Sequence, residues 1–256
     1  MYKEWKIRIP ELTGQEKRKA YIYIPDSYYA DLSQRYPVLY MFDGHNLFND
    51  GEASYGKSWG ILKYVTENDI PVIIAAIECN HHEETDECGG RLSEYSPFDF
   101  DIPDYCQIKG RGKITMDYFV NEFKPYIDKR YPTLPDREHT FVSGSSMGGL
   151  MTLYALCAYG DTFSRGAALS PSLDFNPAEV RKMLSEAGLR GTVLYMDCGD
   201  KEFRSASERK LYAQAAALLI RKGAHLTSRI VPNGIHSESS WEKQLPFIFN
   251  TLLYEL

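Results

Sequence analysis

A serine flanked by glycines has the spacing of an activated nucleophile. Residues 144–148 read Gly-Ser-Ser-Met-Gly, which places Ser146 at the centre of a G-x-S-x-G pattern. The pattern lies between an apolar run that predicts a strand at 139–145 and a stretch that predicts a helix at 146–159. In that context the serine occupies a strained strand-to-helix turn. The pattern predicts nucleophilic catalysis by Ser146, and the alternative is a glycine-rich turn with a passive serine.

A nucleophilic serine needs a histidine base, which should follow it in the chain. Of the six histidines, His225 and His236 lie after Ser146. His225 begins an apolar run that predicts a strand, which favours a structural role for this residue. His236 lies in a polar loop between a predicted strand and a predicted helix, the position expected for a base. We predict that His236 is the general base.

The acid that orients this histidine is expected after the predicted strand at 192–198. Asp200 and Glu202 both stand in that loop, whereas Asp197 belongs to the strand itself. Asp200 can cap the turn, and Glu202 is placed to reach the histidine from the loop. The residues alone leave Asp200 and Glu202 equally favoured.

Two backbone N–H groups are candidates for an oxyanion hole. The first belongs to Met147, which directly follows the nucleophile. The second is usual in the loop after an early central strand, and that loop reads Asp-Gly-His-Asn at 43–46. Gly44 permits a sharp turn there, so we predict that the N–H of His45 is the second donor.

The elements that must position these residues alternate along the chain. Apolar runs predict strands at 36–42, 71–78, 139–145, 164–170, 192–198 and 225–231, and periodic stretches predict helices at 57–67, 114–130, 146–159, 177–187, 204–222 and 238–254. Two earlier alternating stretches, joined by a turn around Gly14, predict an antiparallel hairpin. Pro125 interrupts one predicted helix and is expected to kink it. We predict one α/β domain over 1–256, with a mostly parallel sheet and helices on both faces.

Composition narrows the classes of partner. A formal net charge of −6 over 256 residues excludes a basic nucleic-acid footprint. No apolar run is long enough for a membrane span, and the first residues lack a secretory signal, which predicts a cytoplasmic location if Met1 is the native start. The five cysteines indicate no disulfide framework. Cys79, His81, His82 and Cys88 match no compact zinc pattern, so we expect neither metal nor cofactor. The sequence is compatible with a homo-oligomer.

These motifs resemble the putative-esterase family of α/β-hydrolases, which includes esterase D-like, enterochelin-esterase-like and feruloyl-esterase-like proteins. The resemblance rests on YPVLYMFDGHNLF (36–48), RLSEYSPF (91–98), NEFKPYIDKRYPTLPDRE (121–138), GSSMGGLMTLYA (144–155), FSRGAALSPS (163–172), MDCGDKE (196–202) and GIHSESSW (234–241). It implies an acid three residues after the glycine that ends the strand, which selects Glu202 over Asp200. It also supports His236 as the base and the N–H of His45 as an oxyanion donor.

The activity implied by this resemblance is that of a serine carboxylic-ester hydrolase acting on a small-molecule ester. Ser146, His236 and Glu202 would form the triad, and an acyl-enzyme would be the intermediate. An acyltransferase on the same fold shares this triad and stays open as an alternative. A non-catalytic binding protein that kept the fold is the other alternative, and the complete triad argues against it.

The segment at about 79–112 shows little periodicity and is predicted to be an active-site loop at the carboxyl edge of the sheet. From Glu78 to Asp104 it holds nine acidic residues against one basic residue, Arg91. If the loop borders the site, its field disfavours anionic substrates, so we expect neutral acyl esters, including those on sugars. The alternative is a solvated acidic face. Weaker candidates for the pocket, each equally consistent with packing or with holding the loop, are Arg91, Tyr95, Trp59 and Trp241.

Overall fold

Strands and helices alternate in a computed structural model that describes residues 1–80 and 89–254. The strands are β1 (Tyr2–Arg8), β2 (Lys17–Tyr23), β3 (Val38–Met41), β4 (Ile73–Ile77), β5 (Phe100–Ile102), β6 (Cys106–Ile108), β7 (Thr140–Ser145), β8 (Arg165–Leu169), β9 (Val193–Gly199) and β10 (His225–Val231). The helices are α1 (Pro10–Thr13), α2 (Ser27–Ala30), α3 (Ile61–Glu67), α4 (Gly90–Glu94), α5 (Gly112–Tyr118), α6 (Lys124–Arg130), α7 (Met147–Ala158), α8 (Pro177–Glu186), α9 (Ala206–Arg221), α10 (Glu238–Glu242) and α11 (Leu245–Leu252).

The main sheet within these ranges has the strand order β1-β2-β4-β3-β7-β8-β9-β10. β1 pairs antiparallel with β2 and β2 with β4, whereas every pair from β4 to β10 is parallel. This confirms the predicted mostly parallel sheet with an N-terminal antiparallel hairpin. Because parallel strands all point the same way, the loops after β3, β7, β8, β9 and β10 meet at one edge.

Both faces of the sheet are covered, as expected for a parallel sheet. In β3, Val38 and Tyr40 face one apolar cluster, and Leu39 and Met41 face the other. The first cluster includes buried side chains from the helices α5 to α9, and the second includes those from α3, α10 and α11. The alternation of side chains along each strand therefore builds two cores from one sheet.

The predicted helix at 114–130 is interrupted rather than regular. A π-helical turn at Phe119–Phe123 separates α5 from α6, and the N–H of Lys124 donates to the carbonyl of Phe119. The next residue, Pro125, has no N–H to donate, so the ladder is disturbed at the position that the sequence indicates.

The described part of the segment at 79–112 contains short regular elements. Helix α4 lies within it, and β5 and β6 form a two-stranded antiparallel sheet. Glu94 at the end of α4 forms a buried ion pair with Arg18 of β2, with 2.7 Å between Nη2 and Oε1. This ion pair ties α4 to the main sheet. None of the described helices combines the length and the apolarity that crossing a bilayer requires.

Candidate active site

Ser146 lies at the sharp turn between β7 and α7. Its backbone has φ 58° and ψ −121°, a conformation that non-glycine residues seldom adopt and that is found where strain serves a function. A Cβ on Gly144 would lie 2.8 Å from the backbone of Gly148, so the turn can close only with glycine at that position. The structure therefore places the predicted nucleophile in the strained turn that its motif requires.

The two predicted oxyanion donors lie on adjacent loops. Met147 is the first residue of α7, where a helix leaves its backbone N–H groups without intrahelical partners. His45 lies in the 3₁₀ turn Gly44–Asn46 after β3, the strand next to β7. A Cβ on Gly148 would lie 3.2 Å from the Cβ of Phe42, so the start of α7 packs directly on this loop.

The loop that carries His45 is held by interactions that the sequence did not predict in detail. Asp43 has φ 56°, and its carboxylate receives both Nε and Nη2 of Arg91 at 2.7 Å. The N–H of Asp43 donates to the hydroxyl of Tyr95, 3.1 Å away. A Cβ on Gly44 would lie 2.5 Å from the ring of Tyr21. Arg91 and Tyr95 thus act as supports of this loop, and neither lines the cavity that contains Ser146.

Glu202 and His236 are brought together by the loops after β9 and β10. The Nδ1 atom of His236 lies 2.7 Å from Oε2 of Glu202. The two loops approach so closely that a Cβ on Gly199 would overlap the carbonyl oxygen of Gly234. Asp200, the other acid considered from the residues, makes no hydrogen bond with His236 in the described chain. The side chain of Glu202 is 9% exposed and that of His236 is 49% exposed.

Ser170 and Gly199 hold the other oxygen of Glu202, and Trp241 holds Ser170. The hydroxyl of Ser170 donates to Oε1 of Glu202 at 2.7 Å, and the indole Nε1 of Trp241 donates to the Ser170 hydroxyl at 3.0 Å. The N–H of Gly199 donates to the same Oε1 at 2.8 Å. Burial raises the pKa of Glu202, but the hydrogen bonds from His236, Ser170 and Gly199 outweigh it and lower the pKa below its usual value.

Trp241 also contacts the histidine. Its ring stands edge-on to the His236 ring, with 5.1 Å between centroids and an interplanar angle of 82°. One side chain therefore supports both the base and, through Ser170, the acid. From the sequence alone, Trp241 is equally consistent with packing. Trp241 and Ser170 are 71 positions apart, so residue spacing does not reveal their contact.

A second buried carboxyl lies behind Glu202. Asp197 is 1% exposed, accepts hydrogen bonds from the Tyr195 hydroxyl at 2.9 Å and the Ser170 N–H at 3.2 Å, and belongs to β9 as predicted. Burial, with a smaller contribution from the charge of Glu202, raises its pKa to about 7 in spite of these hydrogen bonds and of Arg229.

Ser146 and His236 line one cavity of about 470 Å³. The hydrogen-bond neighbour of the Ser146 hydroxyl in the described chain is Ser172, at 3.4 Å between the oxygens, rather than His236. Catalytic hydrogen bonds commonly tighten only when substrate binds. His225, the histidine given a structural role from the sequence, lies at the amino end of β10, at the opposite edge of the sheet.

Three side chains with metal-ligating atoms lie close together where the loop after β3 meets the loop after β4. The ligand atoms of Asp43, His45 and Cys79 are all within 4.8 Å of one another. Both oxygens of Asp43 are already occupied by Arg91, and burial raises the pKa of the Cys79 thiol well above its usual value. A neutral thiol and a carboxylate neutralised by a guanidinium make a poor cation site. His81, His82 and Cys88 lie outside the described residues.

The comparison with known proteins decides the family. The family model described as "Putative esterase" matches residues 12–252. The chain belongs to the putative-esterase family. This confirms the resemblance seen in the sequence, and membership of this family makes the protein an esterase-type hydrolase.

This putative-esterase chain is similar to a curated protein in sequence and to several solved structures in fold. The uncharacterized protein YbbA of Bacillus subtilis (strain 168) is 24% identical over 193 residues, 73% of this chain and 70% of that protein. An IroE-like serine hydrolase from Shewanella oneidensis has a TM-score of 0.73 at 20% identity, covering 98% of this chain and 79% of the other. A ferulic acid esterase has a TM-score of 0.66 at 22% identity, covering 98% of each chain. These structures show the α/β-hydrolase fold.

Proposed function

We propose that this protein is a serine carboxylic-ester hydrolase in which Ser146, His236 and Glu202 form a catalytic triad. The observation that carries the proposal is the 2.7 Å contact between His236 Nδ1 and Glu202 Oε2, in a cavity shared with Ser146 in its strained turn. A nucleophile, a base and an acid that fixes the orientation of the base are the parts that acyl transfer needs.

In the first half of the reaction, Ser146 Oγ attacks the ester carbonyl while His236 takes its proton. Because Nδ1 of His236 is directed at Glu202, the atom left to receive that proton is Nε2. Glu202 keeps the ring in this orientation and stabilises the imidazolium. The N–H groups of Met147 and His45 are the proposed donors to the tetrahedral oxyanion.

Departure of the alcohol completes the first half, and the second half then releases the acid and regenerates the serine. His236 first gives its proton to the departing alcohol, leaving an acyl group on Ser146 Oγ. A water molecule then loses a proton to His236 and attacks the acyl carbonyl, and the proton returns to Ser146 as the carboxylic acid leaves. His236 relays each proton between Ser146, the alcohol and water, so these steps need no cofactor.

Neutral acyl esters are the substrates that the cavity walls favour. Arg204 forms ion pairs with Asp174 and Glu208, at 2.9 and 3.0 Å, and Lys201 supplies a further positive charge. With Glu202 counted, three carboxylates face these two cations, so the wall carries a small excess of negative charge and weakly disfavours anionic substrates. Among the acids expected to form an acidic rim, Glu94 is buried against Arg18, while Glu83, Glu84, Asp86 and Glu87 lie outside the described residues.

The test is hydrolysis of p-nitrophenyl acetate by the wild type and by Ser146→Ala, with the exposed Ser185→Ala of α8 as the control. We expect the Ser146 variant to lose activity by about 10⁴-fold or more and the Ser185 variant to keep it. A fluorophosphonate probe should label the wild type on the peptide that contains Ser146. Activity that survives in Ser146→Ala, or a label on another serine, would overturn the proposal.

The same assay separates hydrolysis from transfer to an alcohol. With methanol or glycerol added, a hydrolase should give mainly free acetate, and an acyltransferase should give mainly the new ester. An inactive wild type that still binds esters would instead support the binding-protein alternative.

A further inference from the structure

A second groove runs along the outside of the fold between α8 and α9. It encloses about 290 Å³, and its apolar lining includes Val180, Leu184, Ala215 and Leu218. Arg181 and Arg221 stand at its rim, and neither forms an ion pair with a carboxylate of the described chain. The groove is therefore apolar along its floor and polar where it meets solvent, as ligand sites commonly are.

This groove adjoins the cavity that contains Ser146. Leu211 of α9 lines both of them. Glu208 in the cavity, Leu211 at the junction, and Ala215 and Leu218 in the groove are spaced by three or four residues, so they share one face of α9. A ligand that leaves the cavity past Leu211 meets this apolar stripe next.

The dimensions suit an extended chain rather than a ring. From Leu211 to Arg221 the helix advances by about 15 Å. The described lining of the groove contains no aromatic side chain, and its one uncharged polar side chain, Gln214, is exposed at the rim. The methylene stems of Arg181 and Arg221 can extend the apolar wall while their charged ends stay in water.

We propose that the groove between α8 and α9 binds the far end of a linear alkyl chain whose ester group lies at Ser146. The inference rests on the proposed esterase function and specifies its substrate class: esters with one chain too long for the 470 Å³ cavity alone. A short ester stays within the cavity and does not reach the groove. A long one continues past Leu211 and buries its last methylenes against Ala215 and Leu218, which lowers its free energy in the transition state as well as in the bound state.

The experiment blocks the groove without touching the cavity. Gln214→Trp places an indole over the groove from an exposed position, and Ala213→Trp places the same ring on an exposed position one residue away that does not line the groove. kcat/KM is measured for p-nitrophenyl acetate, octanoate and decanoate below their aggregation concentrations. Decyl acetate is measured by acid release and shows whether the acyl or the alcohol half carries the chain.

We expect the wild type to prefer decanoate or decyl acetate to the short ester. Gln214→Trp should lower kcat/KM for that long ester by about tenfold while acetate hydrolysis stays within about twofold. Ala213→Trp should change neither. Leu218→Glu, which puts a charge in the groove, should repeat the selective loss, and far-UV circular dichroism checks that each variant is folded.

Two results would overturn the inference. One is a wild type that turns over long esters no faster than acetate. The other is a Gln214→Trp variant that matches Ala213→Trp on both long substrates. Failure of the proposed function is distinguishable, because in that case acetate hydrolysis would be absent or would persist in Ser146→Ala.

Discussion

Arg91 and Asp43 form a bidentate ion pair at the start of the loop that carries His45. The distances from Nε to Oδ1 and from Nη2 to Oδ2 are both 2.7 Å, and the Asp43 side chain is 6% exposed. Burial would raise the pKa of Asp43, but the charge and hydrogen bonds of Arg91 outweigh it and lower the pKa. The pair fixes a residue in the left-handed region two positions before the proposed oxyanion donor, His45.

Replacing Arg91 by Met should destabilise the fold and slow the reaction. The Asp43 carboxylate would remain buried without its partner, which costs about 3 kcal/mol of unfolding free energy for such pairs. Urea denaturation measures this loss, and we expect kcat for p-nitrophenyl acetate to fall by about tenfold or more as the loop relaxes. Arg91→Lys should have a stability and a kcat between those of the wild type and Arg91→Met, because an ammonium cannot form the bidentate contact. Arg190→Met, at an exposed position, is the control and should change little.

Acidification should narrow the difference in unfolding free energy between the wild type and Arg91→Met. Because the folded-state pKa of Asp43 is depressed, its contribution is complete above the unfolded value of about 3.9 and is lost as pH falls through the folded value. Urea denaturation at about pH 7 and about pH 3 therefore tests the pair. A stability gap of equal size at both values would contradict an electrostatic role for Arg91.

Local patterns predict the strands of the parallel sheet and the strained turn, but not the break between α10 and α11 within the predicted helix at 238–254. The runs that became β3, β7 and β10 are continuous apolar or β-rich segments, and Ser146 is recognisable because its motif needs only neighbours in sequence. The acid was undecided between Asp200 and Glu202 on the residues alone, because both fit the loop. The family resemblance selects Glu202, and the approach of Gly199 to Gly234, on two different loops, is what brings Glu202 to His236.

Long-range contacts explain what the sequence did not predict. Arg91 lies 48 positions from Asp43, and Trp241 lies 71 positions from Ser170. No periodicity or spacing connects residues so far apart, because their proximity depends on the order of strands in the sheet. Supports of a site are thus harder to find than its reactive groups, whose chemistry restricts the residue type.

Glu202→Gln and Asp200→Asn separate the two acids. An amide at position 202 can present an N–H to Nδ1 and stabilise the wrong tautomer of His236, so kcat should fall by about 10³- to 10⁴-fold. Asp200→Asn should retain kcat within a few-fold, since it makes no hydrogen bond to the histidine in the described chain. Steady-state rates on p-nitrophenyl acetate compare the kcat of the two variants. Equal losses of kcat would contradict the assignment of Glu202 as the triad acid.

Ser170→Ala should lower kcat by about tenfold with little change in KM, because it removes a donor to Oε1 of Glu202 without touching the nucleophile. Trp241→Phe should act in the same direction through the lost indole N–H. If both act through Glu202, neither should add much to the loss in a Glu202→Gln background. Additive losses there would point to a general structural effect instead.

Ser164→Ala is the matched control for that serine. Ser164 is fully buried before β8, and its hydroxyl has no hydrogen-bond partner in the described chain. Removing a buried hydroxyl without a partner should leave kcat unchanged and keep or raise the free energy of unfolding. A rate loss in this variant equal to that of Ser170→Ala would show that the assay reports packing rather than support of the acid.

Asp197 gives stability a pH dependence opposite to that of Asp43. Its folded-state pKa is raised to about 7 by burial, so the folded protein holds a proton that the unfolded chain releases near pH 4. Stability should therefore fall as pH rises from about 4 to about 7, and the full cost of the buried carboxylate remains above that range. Glu202 and Tyr195 face this group together with Arg229, which offsets part of the cost.

Asp197→Asn should remove that dependence, because an amide is neutral at every pH and retains an oxygen for the Ser170 N–H. The advantage of the variant in unfolding free energy should grow from about pH 5 to about pH 8 by on the order of 3 kcal/mol. Urea denaturation across this range measures it, with the exposed Asp161→Asn as the control. A constant difference between the wild type and Asp197→Asn would mean that Asp197 is ionised throughout, and that Arg229 and the Tyr195 hydroxyl offset its burial fully.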